Sequence, residues 1–184
     1  MLGSGIELSQ LRQPFVRWSQ RTCNHIAKFA CDTFGADAAM SAAQTVEAGH
    51  FQLLELLVRT APTVGDGLRI GCSFFRLLHN GGRLVHERMA SGAHAVTWVP
   101  PEDYTVHHAY VELTFGVTVL GIRREARCAH ASAAEVSLHR PGVHDTTLYE
   151  RVLGRPRFDM DEDRMLFDPR VAALGMVRLQ RRSA

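Results

Sequence analysis

The period of the hydrophobic pattern first changes along this chain at Asn80-Gly81-Gly82, and that change restricts what the chain can fold into. Upstream, apolar residues recur at steps of three and four, the mark of helices with one buried face; downstream, the first apolar runs alternate with polar residues, the mark of half-buried strands. Phe15, Trp18, Thr22, Ile26 and Phe29 predict one amphipathic helix, stopped by Gly35. Asp37 is placed to cap a short second helix running through Met40, Ala43 and Val46 to Gly49. The third, FQLLELLVRTA, is apolar on most faces, which predicts a central place in the core before Pro62 ends it. Thr63 and Asp66 form an approximate capping box, with Asp where Glu is usual, opening a fourth helix with Val64, Leu68, Cys72, Phe75 and Leu78 on one side.

Past the glycines, Arg83 to Met89 and His94 to Val99 read as a hairpin around Ala90-Ser91-Gly92-Ala93, ended by Pro100-Pro101. Helical spacing returns from Asp103 to about Ala126 through Val106, Tyr110, Leu113, Val117 and Leu120. Gly116 and Gly121 each cost about 1 kcal/mol inside a helix, so they predict close packing against another element. Ala134, Val136 and Leu138 alternate with polar neighbours as a further strand, and Asp145 is placed to cap a short helix closed by Gly154. Phe158 and Met160, then Met165 and Phe167, flank Asp161-Glu162-Asp163 and read as a second hairpin. Helices and strands therefore occupy separate blocks. That order predicts an α+β fold: an N-terminal helical block followed by an antiparallel sheet packed against a long helix, in a single domain. The domain is expected over residues 14–175, with a tail at 1–13 and the start of an interdomain linker at 176–184.

With 184 residues, 46% of them hydrophobic, the chain is long enough to bury a full core without disulfides or a metal. Cys23, Cys31, Cys72 and Cys128 contain no C-x-x-C pair and sit mostly in apolar runs, so reduced, mostly buried thiols are expected. Lys28 is the only lysine among 21 basic residues, and the arginines are scattered among 19 acids. Specific DNA binding needs a concentrated basic face, so residues 1–184 are not expected to bind duplex DNA themselves. Met1 to Gln10 lacks the charged and apolar regions of a signal peptide, and no window reaches 18 apolar residues. A cytoplasmic protein with no membrane partner is the expectation.

Catalytic signatures are missing. No H-x-x-x-H pair occurs, and His86, His94 and His139 would have to converge from distant segments, so neither a metal nor another cofactor is expected. There is no G-x-S-x-G elbow. TVGDGLRIG offers Gly65 and Gly67 without a preceding strand, and Ile70 fills the slot of a third glycine. The acids Asp161, Glu162 and Asp163 read as a solvated turn. The residues point to no enzyme; a binding pocket remains, needing apolar walls and a few convergent polar groups. Trp98, Tyr104, His107, Tyr110 and Arg123 are the candidate ligand-binding residues: a cavity between the sheet and helix 104–125, walled by Trp98 and Tyr110, with His107 or Arg123 as the polar contact. Plain core packing is the competing account of the same residues.

The segment Gly49 to Leu78 resembles the signature of the N-terminal effector-binding (arabinose-binding-like) domain of AraC-type transcription regulators, in which a G-x-F-G-x-L helix start precedes a capped S/T-x-P-T-x-x-x-A-L helix. Gly49, Phe51 and Leu54 match the first part and Thr60, Pro62, Thr63 and Leu68 the second, while Gln52 and Gly67 depart from it. The family's Y-x-x-x-L-G-x-P-x-x-F block is met by Tyr149, Leu153, Gly154, Pro156 and Phe158, with one residue fewer after the proline; Met165 and Phe167 follow it loosely. The resemblance implies a ligand-sensing and dimerisation domain: a homodimer with a small organic effector, its DNA contacted only through a C-terminal helix-turn-helix domain absent from these residues, the chain being excised or free-standing. Gly116 and Gly121 would let helix 104–125 serve as the self-association face, with packing inside the chain as an equal explanation of the same glycines. Arabinose itself is not implied. A structural dimerisation module without ligand, or a small enzyme or metal protein, are the other readings.

Overall fold

The computed structural model of the chain describes residues 18–79 and 81–177; Phe15, the 1–13 tail, Asn80 and the arginines from Arg178 onward lie outside the described residues. Helix α1 (Gln20–Phe34) begins where the Ser19 side chain accepts from the Thr22 N–H and ends at Gly35, whose φ of 103° suits glycine alone. Helix α2 (Ala38–Gln44) stops well short of Gly49. Helix α3 (Gln52–Val58) departs from expectation: Leu54 and Glu55 are buried, but Leu53 and Leu56 are 57% and 51% exposed. It packs chiefly on the helix that follows and on the turn beyond it, which leaves its outer leucines uncovered. It is a surface helix, not a central one.

Helix α4 (Val64–Phe74) opens with the predicted cap: Thr63 Oγ1 accepts from the Asp66 N–H at 3.2 Å and donates to the Asp66 carboxylate at 2.7 Å. A 3-10 turn, Phe75–Leu77, continues it. The hairpin follows as β1 (Arg83–Arg88) and β2 (His94–Val99), with Arg83 opposite Val99 and Arg88 opposite His94. Helix α5 (His108–Glu125) is the longest helix among the described residues. Then come β3 (Glu135–Ser137), helix α6 (Thr147–Leu153), β4 (Pro156–Arg157), β5 (Arg164–Phe167) and the short helix α7 (Pro169–Ala172).

The five strands form one sheet in the order β1-β2-β5-β3-β4, antiparallel except for the parallel β3–β4 pair, so the fold is α+β. The second hairpin does not form. Residues 156–160 run beside 138–140 instead, held by Leu138 N–H to Arg157 O (2.8 Å), Asp159 N–H to Arg140 O (2.9 Å) and Met160 N–H to Leu138 O (3.2 Å). β3 thus lies between β4 and β5, and α6 is the crossover that a parallel pair requires.

Val111, Phe115, Val119 and Ile122 of α5, at helical steps, form one core cluster with Val96, Val136, Met165 and Phe167 of the sheet. Gly116 faces α2: a Cβ there would lie 2.9 Å from the Ala43 Cβ. The close packing its sequence position predicts is therefore made within the chain, and Gly116 is not free to serve a second copy. Among the described residues, no helix is long and apolar enough to cross a membrane.

Candidate functional site

The apolar stripe of α4 is a wall with space in front of it. Val64, Leu68 and Cys72, continued by Phe75 and Leu78, border a cavity of about 370 Å³. Across it stand Tyr110, Leu113, Thr114, Val117 and Thr118, a second face of α5 distinct from its core face. Leu54 and Val58 of α3 form a third side, and Leu84 of β1 with Val96 of β2 closes it at the sheet. The volume falls within the range of about 300–1,000 Å³ usual for small-ligand pockets. Glycines help to make the room: Gly71 and Gly121 line the cavity, and a Cβ at Gly121 would meet nothing within 4 Å. Burial pushes the Cys72 thiol up to about 12, which keeps it a protonated wall rather than a nucleophile.

An aromatic group closes one end. The Tyr110 ring stacks on His79 with centroids 4.1 Å apart; Trp98 lies 5.9 Å from Tyr110 and 5.7 Å from His79, and Phe75 meets Trp98 edge-on at 5.8 Å. His79 Nδ1 accepts from the Gly81 N–H at 3.1 Å, and Nε2 lies 2.7 Å from Gln20 Oε1. An amide oxygen only accepts, so Nε2 carries the proton and the neutral ring is fully satisfied. Burial lowers this imidazole from 6.5 to about 4. A base depressed in the fold contributes stability that is complete above its unfolded value and is lost as pH falls towards the folded one. Urea denaturation should therefore show stability declining between about pH 6.5 and pH 4, and His79→Phe should flatten that interval; an unchanged slope would remove His79 from the acid response.

The opposite end is ionic. Along α5, Arg124 lies about 21 Å from Tyr110 at 1.5 Å per residue. Arg124 Nε is 3.0 Å from Glu125 Oε1 and its Nη2 is 3.4 Å from Glu55 Oε1, while Arg59 Nε is 3.0 Å from Glu125 Oε2. Glu55 Oε2 also accepts from the Gly49 N–H at 2.7 Å. Two arginines thus meet two largely buried glutamates, and the rim is electrically balanced. Met176 completes the lining; its sulfur would be 2.8 Å from a Cβ at Gly67.

Of the five residues singled out in the sequence, Tyr110 lines the cavity. Trp98 stands behind Tyr110 and Phe75, 4% exposed. Tyr104 is 39% exposed, ahead of α5. His107 caps α5, its Nδ1 accepting from the Ala109 N–H at 3.3 Å. Arg123 donates to the carbonyls of Ala131 (2.8 Å), Arg151 (3.2 Å) and Val152 (2.8 Å), tying α5 to the end of α6. The polar contacts of the cavity include instead Thr114, Thr118, His50, Glu55, Arg59, Arg124 and Glu125. The threonines had a sequence signal: they share the Tyr110–Val117–Gly121 face at helical spacing. The ionic rim had none, because it joins helices distant in sequence. His86 Nε2 and His94 Nδ1 lie 2.9 Å apart, while the His139 backbone N–H donates to Asp163 Oδ1 at 2.7 Å. Among the described residues, no group of three His, Cys, Asp or Glu is placed to hold a metal ion.

The fold is similar to part of a solved transcriptional regulator. The solved structure "Crystal structure of transcriptional regulator CdpR from Pseudomonas aeruginosa" superposes with a TM-score of 0.66 at 12% identity, covering 92% of this chain and 54% of that one, so the chain spans about half of that protein's length. The family described as "Arabinose-binding domain of AraC transcription regulator, N-term" matches residues 1–176, and the chain belongs to it. No curated protein sequence matches the chain.

Proposed function

We propose that this chain is the effector-sensing part of an AraC-type regulator, which binds a small organic molecule in the cavity between α3, α4, α5 and the hairpin without turning it over. The observation that carries this reading is the cavity itself: about 370 Å³ of space, partly open to solvent and bordered mostly by aliphatic and aromatic side chains. Ligand sites are typically clefts of this kind, mostly apolar with a few polar groups. The same walls argue against arabinose, because each sugar hydroxyl taken from water needs a partner and the lining offers few.

Occupancy would be read where the chain leaves the domain. Met176 borders the cavity, its N–H donates to Pro62 O at 3.2 Å, and the Val177 N–H donates to Glu125 O at 2.8 Å. Gly175 bridges Thr63. The exit segment is thus bonded to both helices that wall the site, and a ligand that moves them moves the segment. Such coupling requires the ligand to favour one arrangement over the other, by about 1–3 kcal/mol in typical cases. DNA contact through a further domain, self-association and a cytoplasmic setting belong to the same reading. With Gly116 occupied by α2, the exposed apolar residues Leu53, Leu56 and Phe74 are the surface that a second copy would cover.

Gly121 supplies the test. Gly121→Ala should raise stability by about 0.5–1 kcal/mol, since a helix-interior glycine gains a side chain in open space. Gly121→Leu should fold equally well but occupy the cavity, and the melting shift given to the native chain by a bound compound should disappear. At a hundredfold excess over Kd that shift is worth about 2.7 kcal/mol. A screen of small apolar compounds that yields no shift, or a shift that survives Gly121→Leu, would sink the proposal.

A further inference from the structure

We infer that the cavity is built for an uncharged, largely apolar molecule carrying a hydroxyl or N–H donor, received by the hydroxyl oxygens of Thr114 and Thr118; this rests on the cavity being the effector site. Each threonine has one proton to give, and each has given it: Thr114 Oγ1 donates to Tyr110 O at 2.9 Å and Thr118 Oγ1 donates to Thr114 O at 2.8 Å. What these oxygens still offer is lone pairs. Both stand on the cavity face of α5, between the aromatic end at Tyr110 and the ionic end at Arg124 and Glu125. The middle of the site therefore accepts and does not donate. A group that only accepts, such as an ester or carboxylate, finds no partner there.

The rim excludes charge in both directions. A ligand carboxylate would lie against the like charges of Glu125 and Glu55 or compete with them for Arg59 and Arg124. A ligand ammonium would have to draw a glutamate away from its arginine. Stripping one member from a buried pair is costly because the remaining charge loses its compensation. A neutral ligand leaves all four groups as they are, and its apolar body meets walls such as Leu68, Phe75 and Val117.

Four probes of one shape decide this at neutral pH by calorimetric titration of the chain: naphthalene, 2-naphthol, 2-naphthoate and 2-naphthylmethylammonium. 2-Naphthol should bind roughly three- to tenfold tighter than naphthalene, as one net hydrogen bond allows, with the anion and the cation weaker than naphthalene. The double variant Thr114→Val/Thr118→Val should bring 2-naphthol down to the affinity of naphthalene and leave naphthalene unchanged, a split that damaged protein would not give. Naphthalene binding as tightly as 2-naphthol, or either ion binding more tightly than both, overturns the donor assignment while the cavity remains the site. No saturable binding of any probe, or binding that persists in Gly121→Leu, overturns the effector site and this inference with it.

Discussion

Glu112→Ala should destabilise the protein by about 3–5 kcal/mol, the cost of breaking a buried ion pair by removing one partner. Glu112 is 1% exposed in the middle of α5. Its Oε1 accepts from Arg140 Nη1 at 2.6 Å and lies 3.2 Å from His108 Nδ1, and its Oε2 accepts from the Tyr149 hydroxyl at 2.8 Å. Tyr149, itself fully buried, also lies 2.9 Å from Ala36 O, so one carboxylate ties α5 to α6, to the segment after β3 and to the turn between α1 and α2. Without it the Arg140 guanidinium, with a side chain only 10% exposed, has lost its acid. Glu112→Gln keeps the shape and should cost less. Burial pushes the Glu112 carboxyl up, but hydrogen bonds from His108, Arg140 and Tyr149 outweigh it and hold the group below its usual 4.5. A carboxyl depressed in the fold contributes stability present above its unfolded value and lost as pH falls through the folded one. Urea denaturation below about pH 4.5 should accordingly show a shallower acid loss in Glu112→Gln than in the native chain. A loss under about 1 kcal/mol in Glu112→Ala would contradict the role assigned to the network.

The parts of this fold legible in the sequence are those fixed by local chemistry. Gly35 and Gly154, at φ of 103° and 94°, end helices because few other residues take that conformation. The Thr63–Asp66 cap and the β1–β2 hairpin were readable for the same reason, since each is closed within a few residues. What could not be read is what lies opposite a given face. FQLLELLV has the apolar content of a core helix, yet Leu53 and Leu56 face outward because nothing among the described residues is layered over α3. Met165 and Phe167 alternate as a strand should, but the strands beside them are β2 and β3, while residues 157–160 bond to residues 138–140 instead.

The candidate site divides along the same line. The stripe Val64–Leu68–Cys72–Phe75–Leu78 was visible as a stripe, and so was the α5 face through Tyr110, Leu113 and Val117. Whether two such stripes interlock or stand apart depends on side-chain volume across the gap, and hydrophobic period carries no information about volume. Gly121 held the clue. A glycine in the interior of a helix needs a reason, and close packing, which Gly116 shows, is one of two; open space, which Gly121 shows, is the other.

Trp98→Ala should cost about 3–5 kcal/mol, as large aromatic truncations in cores do, with no loss of cooperativity in urea. The indole is 4% exposed and touches three rings, Phe75, His79 and Tyr110, at 5.7 to 5.9 Å between centroids. Gly82 presses on it from the side, where an added Cβ would come within 2.6 Å of the ring, so the local backbone is shaped around the tryptophan. Two of its three ring neighbours, Phe75 and Tyr110, are also walls of the cavity. The tryptophan therefore fixes the position of the wall from behind. Trp98→Phe keeps an aromatic edge for Phe75 and should recover about half of the loss. Once stability is accounted for, removing the support should slacken the aromatic end and weaken 2-naphthol and naphthalene alike, because the 2-naphthol hydroxyl is received at Thr114 and Thr118 and not at the indole. A change confined to 2-naphthol would instead make Trp98 a direct contact, and a cost below about 1.5 kcal/mol would show that the wall stands without it.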